Sequence, residues 1–333
     1  MKMFLILFVW STLIISCETS PDNAGFSNDN KTKSTEFMKS KITFKREGLT
    51  LVGNLFTPEK FDEKSQYKTI IVEGSLTSVK EQMSETYAKK FVNEGFIVLA
   101  FDYSHYGESE GSPRQLEAPE NKLKDLQAAV SYLTSLSYVE SVGMVGVCTS
   151  AGNAAYLASA DPHIKSMATV AGFLPDPSLL ENLFGKEKIV SRREEAAVAK
   201  NKFEQTGQEI IVTAYSENDK SAANYNLTEG SYDYYLNKTR GGVSQWKNEL
   251  AIMSWETFQD FDPISKASGI IVPTMVVHSD GCAFPEQAKK FYSRLQGKKE
   301  LVWGNGNHFD YYDSPKQIDY AVKNVTRFFN EYL

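Results

Sequence analysis

The sequence predicts an α/β fold over residues 41–333, a mostly parallel sheet covered by helices on both faces. Two observations carry this expectation. Short apolar runs bounded by turn residues alternate with helix-like stretches, as expected of buried strands joined by crossover helices. That alternation breaks at about 174–262 and then resumes, so a sizeable insertion stands between two strands of the sheet and reads as a cap.

Before the sheet comes a different kind of segment. Lys2 precedes an apolar run from Phe4 to Ile15, too short for a permanent membrane span but suited to a signal-peptide core. The order Leu13-Ile14-Ile15-Ser16-Cys17 resembles a bacterial lipobox. Residues 1–16 are therefore expected to be a lipoprotein signal peptide, with Cys17 as the lipidated residue. Residues 17–40 are rich in Ser, Asn, Asp, Thr and Lys and read as a flexible tether. Together they imply a protein held at the bacterial cell envelope, meeting the membrane only through its N-terminal lipid. The other reading of the leader is a plain secretory signal.

From Lys41 the elements follow in order. Lys41 to Phe44 and Leu49 to Phe56 read as a strand pair turning at Glu47-Gly48. Thr69 to Val72 is a short buried strand, followed by a helix through Tyr87, Phe91 and Val92 that ends at Gly95. Phe96 to Phe101 is a strand, Asn121 to Leu133 an amphipathic helix, and Val142 to Val147 a strand. An Ala-rich helix spans Thr149 to Ala160, and Met167 to Ala171 is the next strand. The insertion carries a charged helical stretch, Lys186 to Gln205, one apolar run, Ile210 to Val212, and an aromatic segment. That segment holds Tyr232, Tyr234, Tyr235, Trp246, Trp255 and Phe258. The rhythm returns with Ile270 to His278 (strand), Pro285 to Leu295 (helix), Glu300 to Trp303 (strand) and Gln317 to Tyr332 (helix).

Composition narrows the possible functions. Of the 333 residues 41% are hydrophobic, enough for a substantial core. The net charge of −6 has its acids and bases interspersed, and without a basic block nucleic acid is not an expected partner. Three cysteines occur, and lipidation of Cys17 would leave only Cys148 and Cys282 as thiols. Two thiols make no disulfide scaffold, so stability must come from the core. The four histidines lack ligand spacing, and no metal or cofactor is expected.

The chemistry concentrates at Val142-Gly143-Met144-Val145-Gly146-Val147-Cys148-Thr149-Ser150-Ala151-Gly152, a strand running into a helix through a tight turn. A nucleophile at the apex of such a turn needs small residues two before and two after it. Cys148 at the apex puts Gly146 and Ser150 there; Ser150 at the apex would put Cys148 and Gly152 there. Gly146, immediately after the apolar run, favours Cys148, although a free cysteine is commonly an inert buried residue. A place at a helix N-terminus favours its thiolate.

The base is found among four histidines. His105 lies in a loop past a strand, His163 follows Asp161-Pro162, and His278 stands at a strand end. His308 lies in the loop Gly304-Asn305-Gly306-Asn307-His308 between the last strand and the last helix. The chain order nucleophile, acid, base selects His308. Asp280 is the carboxylate of the loop His278-Ser279-Asp280-Gly281-Cys282 and is the expected acid, with Asp310 in reserve and a turn-capping role as the alternative. The oxyanion needs two backbone N–H donors, expected from Thr149 and from Leu76 or Ser75.

These pieces, with Gly107-Glu108-Ser109-Glu110-Gly111-Ser112-Pro113-Arg114 and His308-Phe309-Asp310-Tyr311-Tyr312-Asp313, resemble a family of bacterial α/β-hydrolases. The family stands near dienelactone hydrolases and near fungal polyketide acyltransferases of the same fold. The resemblance spans about residues 41–330. It implies an α/β-hydrolase fold, Cys148 as nucleophile and His308 as base. Two departures stand out: Leu76 replaces the aromatic residue many relatives have after the oxyanion glycine, and Cys282 occupies the usual acid position. Asp280 would then have to reach His308 from a displaced place. The expected activity is hydrolysis of an ester, lactone or thioester of a small acyl substrate through an acyl-cysteine. Acyl transfer to a non-water acceptor and an inactive binding protein are the alternatives.

Overall fold

The computed structural model describes residues 37–225 and 231–333. The leader, Cys17 and most of the tether therefore lie outside the described residues. Eight strands share one sheet: β1 (Met38–Arg46), β2 (Leu49–Thr57), β3 (Tyr67–Glu73), β4 (Ile97–Phe101), β5 (Val139–Val147), β6 (Ile164–Val170), β7 (Thr274–His278) and β8 (Lys299–Trp303). Their spatial order is β1-β2-β4-β3-β5-β6-β7-β8. Strands β3 to β8 are parallel, while β2 pairs antiparallel with both β1 and β4.

The two faces of the sheet bury separate cores because side chains alternate along a strand. Ile70 and Val72 of β3 and Val98 and Ala100 of β4 face one way. They meet α1 (Met83–Asn93) and the last helix, Pro315–Tyr332. Ile71, Ile97, Leu99 and Phe101 face the other way, against α2 (Pro119–Thr134) and α3 (Ser150–Ala160). Met83, Tyr87 and Phe91 recur at helical spacing on α1 and are all fully buried, each aromatic ring contributing roughly 1.5–3 kcal/mol by burial. Gly95, at φ +94°, ends that helix in a backbone conformation costly for any residue with a Cβ.

Between β6 and β7 the chain builds the cap. Asp176 caps α4 (Pro177–Phe184) by accepting from the Leu179 N–H at 2.8 Å. The long, charged α5 (Lys186–Thr206) follows. Ile211–Thr213 then pairs antiparallel with Glu249–Ala251. Tyr215, Tyr234, Tyr235, Trp246, Trp255 and Phe258 are buried within this insertion, over the C-terminal ends of the sheet strands.

Candidate active site

At the end of β5 the backbone turns sharply into α3, and Cys148 takes φ +55° at the apex. Such strain in a non-glycine residue marks a turn held by its surroundings. The turn brings Gly146 so close to the first helical residues that a Cβ there would lie 2.1 Å from the Ser150 carbonyl oxygen. Gly146 is thus required by the turn itself. Ser150 is fully buried beneath it, its Oγ 3.3 Å from the Tyr103 hydroxyl and accepting from Asn153 Nδ2 at 3.3 Å. The apex belongs to Cys148, and Ser150 faces the core.

A cavity of about 110 Å³ opens over the Cys148 sulfur. Its walls include Phe173, Leu180, Phe184, Trp255, Phe258 and Phe284, and among the described residues no lysine, arginine, aspartate or glutamate lines it. Burial raises the thiol above its ordinary value of 9. Polar groups of Tyr312, Thr149 and Leu76 act in the opposite direction, and the Thr149 hydroxyl lies 3.7 Å from the sulfur. Burial is the largest of these influences, so the resting thiol is held above its ordinary value although it stands at a helix N-terminus. Leu76 and Thr149, the residues expected to supply the oxyanion donors, both line the cavity beside the sulfur.

His308 also lines the cavity, but among the described residues it makes no hydrogen bond to the thiol. Its Nε2 lies 3.0 Å from the Tyr312 hydroxyl, and Tyr312 lines the same cavity as Cys148. On its other side Nδ1 accepts the Ala283 N–H at 3.3 Å. A nitrogen that accepts carries no proton, so this network assigns the ring proton to Nε2, which donates to Tyr312. Burial, then the nearby His278, push the His308 pKa down to about 3.

The expected acid is not part of this arrangement. The Asp280 side chain is 80% exposed, and its carboxylate lies 3.9 Å from Lys289 Nζ. The reason is the path of the loop after β7. Cys282 N–H donates back to the Ser279 carbonyl at 3.2 Å, and Gly281 bridges to Asn307. This tight turn sends Asp280 outward and Cys282 inward, where its sulfur accepts from Ser279 Oγ at 3.2 Å. Burial pushes the Cys282 thiol up to about 11. Asp310 is engaged elsewhere, its Oδ2 accepting the Asn307 N–H at 2.7 Å. Among the described residues no carboxylate hydrogen-bonds to His308.

The other histidines fall outside the site. His163 is exposed, with Nδ1 2.8 Å from Asp161, and His105 is buried against the Pro113 carbonyl and Asn121. His278 is fully buried at the end of β7. What sequence reasoning missed is Tyr312, along with Tyr215 and Tyr235 of the cap, which complete the cavity wall. Tyr312 lies four residues after His308, and that i, i+4 spacing on a helical turn was the available signal.

Comparison with known proteins agrees with the fold. Residues 70–315 match the family model described as alpha/beta hydrolase fold. An uncharacterized protein of Escherichia coli, YcjY, is 29% identical over 89% of this chain and all of its own length. A thiohydrolase of Aspergillus aculeatus, aneE, is 29% identical over 77% of this chain and 81% of its own. The crystal structure of the hypothetical protein PA2218 of Pseudomonas aeruginosa superposes with a TM-score of 0.77 at 23% identity, covering 89% of this chain and 94% of that one. The chain therefore belongs to the α/β-hydrolase fold family.

Proposed function

We propose that this α/β hydrolase cleaves an ester, lactone or thioester of a small uncharged acyl group through an acyl-cysteine at Cys148. The observation that carries the reading is a sulfur at a strained positive-φ elbow that opens on an apolar cavity, with Leu76, Thr149 and His308 in the same cavity wall. In the first step the sulfur bonds to the acyl carbon, the bond to the leaving oxygen or sulfur breaks, and the thiol proton ends on the leaving group. Water then adds to the thioester, releasing the acid and restoring the thiol. The developing oxyanion is held by the Leu76 and Thr149 amides in both steps.

His308 serves this chemistry through Tyr312. Taking up a proton at Nε2 requires the ring proton to stand on Nδ1, and therefore requires the Ala283 amide to move off that nitrogen. A second reading, transfer of the acyl group to a nucleophile other than water, is supported by the apolar lining of the cavity. Intact mass separates the outcomes after incubation with p-nitrophenyl butyrate. An adduct of one butyryl group on Cys148 is expected, which decays to acid in water alone; faster decay with an added alcohol or thiol, to the corresponding ester, supports transfer. Release of p-nitrophenol with no adduct even under rapid acid quench overturns the covalent reading.

We also propose that Cys17 carries the lipid, on the strength of the lipobox-like order and the polar segment behind it. In Cys17→Ala the protein is expected to leave the membrane fraction and appear in the soluble one. Wild-type protein that is already wholly soluble, with a free N-terminus beyond Cys17, overturns the anchor.

A further inference from the structure

The loop that supplies the Leu76 amide is held at three consecutive residues by three aromatic side chains of the cap. Ser75 Oγ lies 2.5 Å from the Tyr235 hydroxyl. The Tyr215 hydroxyl donates to the Leu76 carbonyl at 3.2 Å, and Trp246 Nε1 donates to Thr77 Oγ1 at 3.3 Å. The three rings brace one another: Tyr215 stacks on Tyr235 at 4.1 Å and 15°, and Tyr235 on Trp246 at 5.4 Å and 29°. All three are buried, as are Ser75, Leu76 and Thr77.

The loop has reason to need holding. Thr77 takes φ +61°, an unfavourable conformation for a β-branched residue. The turn itself is closed at one carbonyl, that of Ser75, which accepts from the Ser78 N–H at 3.2 Å and from the Ser78 hydroxyl at 2.8 Å. The Leu76 N–H belongs to the peptide between Ser75 and Leu76. The Tyr235 contact fixes the residue before that peptide, and the Tyr215 contact fixes the carbonyl after it. With both neighbours held, the peptide that carries the donor has little freedom to rotate. Tyr215 and Tyr235 also line the cavity, so an acyl group filling it would press on the rings that hold the donor.

We propose that Tyr215, Tyr235 and Trp246 are positioning residues that keep the Leu76 amide aimed at the developing oxyanion, so that the cap completes the catalytic site as well as covering it. This rests on the acyl-cysteine reading above. The test uses the full-length protein, p-nitrophenyl butyrate and its thionoester, whose sulfur accepts hydrogen bonds poorly. Formation of acyl-Cys148 from the ester, and of the dithioester from the thionoester, is followed for wild type, Tyr215→Phe, Tyr235→Phe and Trp246→Phe.

Removing an oxyanion donor outright costs about 10²–10³ in kcat, so loosening one is expected to cost about 5- to 30-fold with the ester, with KM within about twofold. The thionoester rate should move little, so the ester-to-thionoester ratio falls in each variant. Tyr234→Phe, a buried cap neighbour that makes no bond to the loop, should leave the ratio unchanged. If ester and thionoester rates fall together, or neither falls, the three residues merely pack and the proposal is overturned. If wild-type protein forms no acyl-Cys148 at all, the underlying reading fails and this one with it, an outcome visible before any variant is made.

Discussion

Replacing Cys148 with alanine is expected to abolish turnover, by at least about 10³-fold in kcat/KM, while Ser150→Ala retains activity within about twofold. The contrast follows from the elbow. Cys148 stands at the positive-φ apex and opens on the cavity, whereas the Ser150 hydroxyl is sealed below it between Tyr103 and Asn153. Ser150→Ala removes only weak neutral hydrogen bonds, a loss of roughly 1 kcal/mol of stability. Labelling adds a second measurement. Of Cys148 and Cys282, iodoacetamide should alkylate Cys148, because Cys282 is buried and its thiol is pushed up to about 11. The Cys148 rate should itself climb steeply with pH, since burial holds that thiol above its ordinary value of 9. An inactive Ser150→Ala beside an active Cys148→Ala would reverse the assignment, and a pH-independent labelling rate near neutrality would place the thiolate in the resting enzyme.

How much of this was legible in the sequence depended on how local each constraint is. The elbow could be read because its cause is local: a Cβ on Gly146 would collide with the backbone four residues on. The layered sheet could be read for a similar reason, as each strand carries its own apolar run. His308 was reachable by elimination, because only four histidines occur and one stands in the loop the chemistry requires. The acid could not be read. Which side chain of the Ser279–Ala283 turn faces inward depends on the Cys282 to Ser279 hydrogen bond and on Gly281 pairing with Asn307, in a strand-end loop far along the chain. Counting carboxylates selected Asp280, but the turn presents Cys282. The cap tyrosines were hidden for the same reason. Tyr235 meets Ser75 across 160 residues of sequence, and an aromatic-rich stretch looks the same whether it packs a core or steers a backbone amide.

His308→Ala should lower kcat/KM by about 10²-fold or more, with Tyr312→Phe losing about tenfold and Asp280→Asn staying within about twofold. The ranking follows the connections around the sulfur. Tyr312 shares the cavity with the thiol and contacts Nε2, so its hydroxyl and the imidazole both stand where the proton must go, while Asp280 points to solvent beside Lys289. An Asp280→Asn variant as damaged as His308→Ala would mean that the loop after β7 swings its carboxylate inward during turnover. The pH dependence gives an independent check. With its pKa pushed down to about 3, His308 stays neutral from pH 8 down to pH 5, so the activity profile should lack the falling limb near 6.5 that an exposed histidine base would impose. Stability carries the opposite sign. Below about pH 6.5 the unfolded chain gains a proton on this residue that the folded chain refuses until about pH 3, so folding stability should fall as pH drops through that window. His308→Gln should remove that share of the acid sensitivity, measured as a smaller loss in urea midpoint between pH 7 and pH 4. If the midpoint shift is the same with and without the imidazole, His308 takes up its proton in the folded enzyme as in the unfolded chain, and the depressed value is wrong.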